Sequence, residues 1–119
     1  MTETPRADDP YEAVARTADV PPGTVKRVAY RGEAVALVCL GGQYYALANT
    51  CAHQRISLSL GRLFRGHLVC PGHGWMYDPR SGQVTFPRGV DARVACYDVR
   101  VEGEQILIAP RPAPLPSFS

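Results

Sequence analysis

Two short segments carry the residues best equipped for chemistry. The first is Cys51-Ala52-His53; after a spacer of sixteen residues comes Cys70-Pro71-Gly72-His73-Gly74. Each segment offers one soft thiolate and one imidazole. Together they could hold a single tetrahedral Zn²⁺ or an asymmetric [2Fe–2S] cluster. Zinc fingers normally group their two Cys together and their two His together, whereas here each segment supplies one of each. The interleaving suits a cluster. If both Cys bind one iron and both His the other, two loops must face each other, each with one thiolate and one imidazole. Gly72 and Gly74 let the backbone bend closely, so that its N–H groups can reach sulfur.

Other reactive side chains read as ordinary structure. His67 sits three residues before Cys70 in a strand-like run and reads as a surface or packed strand residue. Cys39 and Cys96 lie in apolar runs and read as buried thiols, since unpaired Cys is among the most buried residue types. Charge is distributed unevenly. Between positions 51 and 90 five Arg (Arg55, Arg62, Arg65, Arg80, Arg88) face one acid, Asp78, for a net of +4, against −2 for the rest. Around an exposed redox site such a group would be a docking patch for acidic partners. The overall formal charge of +2 gives no reason to expect nucleic-acid binding.

The elements that must position these residues read as strands. The 119 residues fit one domain, and 11 Gly with 11 Pro favour turns and short strands over long helices. Residues 11–17, 24–30, 34–40, 43–48, 93–101 and 105–109 read as strands, with hairpins at Gly41-Gly42 and Glu102-Gly103-Glu104. No window of ten or more residues shows a 3.6 period, so the fold class is all-β. A small antiparallel sandwich or open barrel is expected, with a loop subdomain on one end. Residues 1–10 read as a flexible N-terminus and 11–109 as the domain, its motif part at about 49–90. Residues 110–119 read as a Pro-rich tail. No apolar run approaches the ~20 residues of a membrane helix, and residues 1–10 lack the features of a leader. A cytoplasmic protein with no membrane association follows, in which four Cys are ligands or buried thiols rather than a disulfide framework.

On these motifs the chain resembles the Rieske proteins. Cys-x-His, a spacer of this size and Cys-Pro-x-His-Gly-Trp-x-Tyr-Asp match the family's cluster-binding boxes. The match continues through Ser81-Gly82-Gln83-Val84 to Pro87, where the family has a third loop beside the cluster. The resemblance covers about residues 11–109. It implies the Rieske fold and a Rieske-type [2Fe–2S] cluster, with Cys51 and Cys70 on the buried iron and His53 and His73 on the outer one. Arg55, Gly72, Gly74, Trp75, Tyr77 and Pro87 are implied to surround it. High-potential members carry an extra Cys in each loop, where this chain has residues around Arg55-Ile56 and Gly72. They also carry a Ser whose hydroxyl donates to a bridging sulfide, where this chain has Trp75. Tyr77 is retained near a ligating sulfur. Fewer hydrogen bonds to sulfur imply a potential at the low end of the Rieske range, roughly −150 mV.

The function implied is that of a Rieske-type ferredoxin. It would carry single electrons from a flavin-dependent NAD(P)H reductase to a terminal ring-hydroxylating oxygenase, as a monomer with no catalytic site of its own. A mononuclear iron site is not expected, because beyond the four ligands only His67 remains as a third histidine. The alternative is a small Rieske subunit of a nitrite reductase-like complex. Several such subunits have lost the ligands, whereas all four are retained here.

Overall fold

Glycine turns cut this chain into short strands, and a computed structural model, which describes residues 10–50, 56–72 and 74–111, pairs them into two antiparallel sheets. The first four strands are β1 (Glu12–Arg16), β2 (Thr24–Tyr30), β3 (Glu33–Leu40) and β4 (Gln43–Ala48). A smaller sheet follows, made of β5 (Arg62–Phe64), β6 (His67–Val69), β7 (Met76–Tyr77) and β8 (Val84–Phe86). The chain then returns to the first sheet with β9 (Cys96–Glu102) and β10 (Gln105–Pro110). The six-stranded sheet runs β1-β10-β9-β4-β3-β2, and its edges β1 and β2 come back into contact, so it nearly closes into a barrel. The smaller sheet runs β5-β6-β7-β8. All-β architecture is therefore observed as expected.

Both expected hairpins form. Leu40 pairs with Gln43 across Gly41-Gly42, whose φ angles of +56° and +84° suit the left-handed two-residue turn that glycine adopts without a Cβ penalty. Glu102 pairs with Gln105 across the second.

β3 explains where the cores sit. Its side chains alternate between two apolar clusters. Val35, Leu37 and Cys39 point into the barrel with Val28, Ile106 and Ile108. Ala36 and Val38 point the other way, with Leu47 of β4, against Leu58, Leu68, Tyr77, Val84 and Val94 of the smaller sheet and its flanks. A strand covered on both faces loses the apolar–polar alternation of a half-exposed one, which is why Val35 to Cys39 reads as an unbroken apolar run.

Three expectations change. The motif region, expected as loops, contains the four-stranded sheet. Its strands are two or three residues long, too short to show a period. The strand expected from residue 93 begins at Cys96, because residues 92–94 first pair with the smaller sheet's flank: Val84 N–H donates to Ala92 O and Val94 N–H to Gly82 O, each at 2.9 Å. Pro110, assigned to the tail, is the last residue of β10 opposite Tyr97. Next to it, Arg111 donates from Nε to Asp98 Oδ1 at 3.0 Å and from a terminal nitrogen to Arg80 O at 2.8 Å. The expectations for residues 1–9 and 112–119 lie outside the described residues. Among the described residues no helix is long and apolar enough to cross a membrane.

Candidate metal centre

Of the four expected ligands, Cys70 is described, while Cys51, His53 and His73, with neighbouring Arg55, lie outside the described residues. Cys70 directly follows β6 and opens the hairpin into β7. Its N–H donates to Trp75 O at 2.7 Å, and Gly74 N–H donates back to Cys70 O at 3.2 Å. Gly74 has φ +73°, which lets the chain reverse within so few residues. Its N–H group thus closes the turn. Pro71 and Gly72 are the exposed turn residues.

Cys70 is 1% exposed and packs in the cluster shared by the two sheets. A thiolate in such apolar surroundings needs a compensating positive charge. A hollow of ≈ 330 Å³ lies beside it, lined by Leu60, Gly61, Arg62, Val69, Cys70, Pro71 and Gly74. Gly61 is there because nothing larger fits: a Cβ would lie 1.9 Å from Val69 O.

The base of the first segment is clasped by a residue that the sequence reading missed. Asn49, 4% exposed, accepts from Ser59 N–H through Oδ1 at 2.9 Å and from Leu58 N–H through its carbonyl at 2.6 Å. Its own N–H donates to Ala34 O of β3 at 3.2 Å. Thr50 and Ser57 form a bridge pair just beyond, so the chain leaves and re-enters at one place around residues 51–55. An amide two positions ahead of a candidate ligand was the only available signal.

The remaining expected residues converge on the same end. Trp75 packs against the shared core. Tyr77 is fully buried there, and Pro87 follows Phe86, which pairs with Met76 next to Trp75. His67 donates from Nδ1–H to Arg65 O at 3.1 Å, at the end of β6 away from the Cys70 hairpin. Cys39 is buried as expected. Cys96 is only partly buried, against Gly82. Burial pushes the Cys96 thiol up, Arg111 and Arg93 pull it down, and Asp78 and Asp98 add to the rise.

The donor set, two thiolates and two imidazoles with one thiolate buried beside an open hollow, fits an asymmetric [2Fe–2S] group. The family model for the Rieske [2Fe-2S] domain matches residues 11–98. The chain belongs to the Rieske family. Its cofactor is accordingly a Rieske-type [2Fe–2S] cluster. The Rieske chain is similar to the ferredoxin CarAc of Metapseudomonas resinovorans, 37% identical over 99 residues, a match spanning 77% of this chain and 92% of that protein. It superposes on the ferredoxin of carbazole 1,9a-dioxygenase from Nocardioides aromaticivorans IC177 with a TM-score of 0.79 and 31% identity, covering 87% of this chain and 100% of that one. A third match is to a complex of reduced oxygenase and oxidized ferredoxin in carbazole 1,9a-dioxygenase (TM-score 0.76, 29% identity, 84% and 93% covered). All three of these matches are to ferredoxins, two of them ferredoxins of carbazole 1,9a-dioxygenase.

Proposed function

We propose that this chain is a monomeric, low-potential Rieske ferredoxin that passes single electrons from a flavin-dependent NAD(P)H reductase to a terminal ring-hydroxylating oxygenase. The observation that carries the reading is coverage: the chain matches CarAc over 92% of that protein, and the solved carbazole dioxygenase ferredoxin over 100%. The likeness is to a whole ferredoxin. That another ferredoxin has been captured on its oxygenase supports an oxygenase as the acceptor. A cytoplasmic location fits a chain whose Cys39 and Cys96 remain thiols.

In this reading Cys51 and Cys70 hold one iron, and His53 and His73 the other. The bound cluster supplies a one-electron store. The chain's own residues set its surroundings. Cys70, buried among Leu58, Leu68 and Tyr77, keeps one side dry. Trp75 stands where high-potential members carry a hydroxyl donor, which supports a potential near the low end of the family range, about −150 mV. Arg62 and Arg88 are exposed at the same end and favour an acidic partner.

Protein reconstituted anaerobically with iron and sulfide is expected to be brown-red, to give a Rieske paramagnetic signal on reduction and to take up one electron per chain. Its reduction by a flavin reductase should slow as salt rises and in Arg88→Glu. A colourless protein that binds only one divalent metal overturns the reading, and rates indifferent to both salt and Arg88→Glu remove the acidic-partner part of it.

A further inference from the structure

An antiparallel sheet with one face on a core normally turns polar residues to water on the other. The smaller sheet does not. Its inward positions, Leu63, Leu68, Tyr77 and Val84, line the shared core. Across the outward face the register sets Arg62 opposite Val69, Val69 opposite Met76, and Met76 opposite Phe86, a single rung spanning all four strands. Residues paired in this way lie side by side on one face. Phe86 is 53% exposed, and Phe64, on the same face of β5, is 47% exposed. Leu60, just before β5 and lining the hollow beside Cys70, is 76% exposed. The rung lies one residue from Cys70 and Trp75, so it abuts the hairpin at the metal centre.

The exposed charged residues between positions 56 and 90 are all arginines. Arg62, Arg65 and Arg88 are exposed, and none of them makes a salt bridge among the described residues. The Arg65 guanidinium lies over the Phe64 ring, 5.3 Å from its centroid, a stack that leaves its charge available at the rim. Asp78, the one acid of this region, accepts from Arg80 N–H at 3.0 Å. A second copy of the chain would set arginine against arginine here, which opposes self-association through this face.

We infer that the outward face of the smaller sheet, the rung from Arg62 to Phe86 with Phe64 and Leu60 beside it, is a docking surface for a redox-partner protein whose own contact patch has an apolar centre ringed by carboxylates. This rests on the electron-carrier reading above and adds the surface and the chemistry of its occupant. The apolar rung supplies contact that survives salt, while the arginine rim supplies orientation and on-rate. Seated there, a partner lies against the hairpin that carries Cys70.

Voltammetry of the reconstituted protein on gold tests this, using three monolayers: carboxylate-terminated, methyl-terminated and an even mixture. Electron exchange is expected to be fastest on the mixture, by about tenfold over pure carboxylate, the factor that burying about two methylene groups of apolar contact gives. Phe64→Ser with Phe86→Ser should erase that gain and leave exchange on pure carboxylate and the midpoint potential as they were. Arg62→Glu should slow exchange on both acid-bearing surfaces. Equal wild-type rates on carboxylate and mixture, or a double variant that keeps the gain, overturn the docking face while leaving a reversible one-electron wave. The absence of any wave defeats the carrier reading itself. Sedimentation showing a dimer that Phe64→Ser with Phe86→Ser dissolves would instead assign the face to a second copy and overturn the proposal.

Discussion

Asn49 satisfies three main-chain groups at once, and its side chain is the acceptor for Ser59 N–H. Asn49→Ala would leave that N–H without its partner inside the fold, a loss of about 1–3 kcal/mol, measurable by urea unfolding. Because Thr50 and Ser57 pair just beyond it, the same change should also lower the fraction of chains that retain the cluster, read from visible absorbance per mole of protein. Cys96 carries a pH dependence whose sign is fixed by burial. Its thiol is pushed up in the folded chain, so below the unfolded value, about 8.5, both states hold the proton and stability is full. Above that pH the unfolded thiol ionises first, and stability declines until the folded thiol ionises as well. Denaturation midpoints followed from pH 7 upward should fall in this window, and Cys96→Ala should flatten that part of the curve. At this scale the two Cys-His pairs were legible because donor type and spacing are local properties. Asn49 was not, since its three partners in Ala34, Leu58 and Ser59 come from different parts of the chain.

Between β5 and β6 the strands approach with no space for a side chain at Gly61. Gly61→Ala would force its methyl group into the Val69 carbonyl, so β6 must shift or the 3-10 turn at Leu58–Leu60 must open. Overpacking of this kind costs about 1–3 kcal/mol. It should appear as a lower thermal midpoint and faster hydrogen exchange at β6, with β2 and β3 little changed; exchange altered equally throughout would contradict a local clash. The long strands were readable, since β2, β3, β4, β9 and β10 each run six to eight residues. The smaller sheet was not. Met76–Tyr77 is a whole strand of two residues, a single in-and-out alternation with no repeat to reveal a period. The start of β9 was misplaced for a related reason: Val94 has the composition of a strand residue, but its N–H bonds to Gly82 and its side chain to the other core.

The two sheets are joined by more than the chain connections. Arg111, directly after β10, reaches Asp98 on β9 and the Arg80 carbonyl on the flank of the smaller sheet. Its ion pair is about two-fifths exposed on each side, so the charge itself adds little stability; what it contributes is a tie between base and metal end. The stronger join is β3, with one face in each core. Neither compartment can come apart without stripping the cover from a strand that the other needs. Heat or urea should therefore dismantle the molecule in one step, with the fluorescence of Trp75, the single tryptophan, and the far-ultraviolet signal of the barrel strands changing together. Two separated transitions would show that the metal end melts by itself. For an electron carrier this has a practical result. With one-step unfolding, the sulfur of Cys70, sealed in the core that both sheets share, reaches solvent only at the free energy of whole-chain collapse, and small, frequent openings of one end do not expose it.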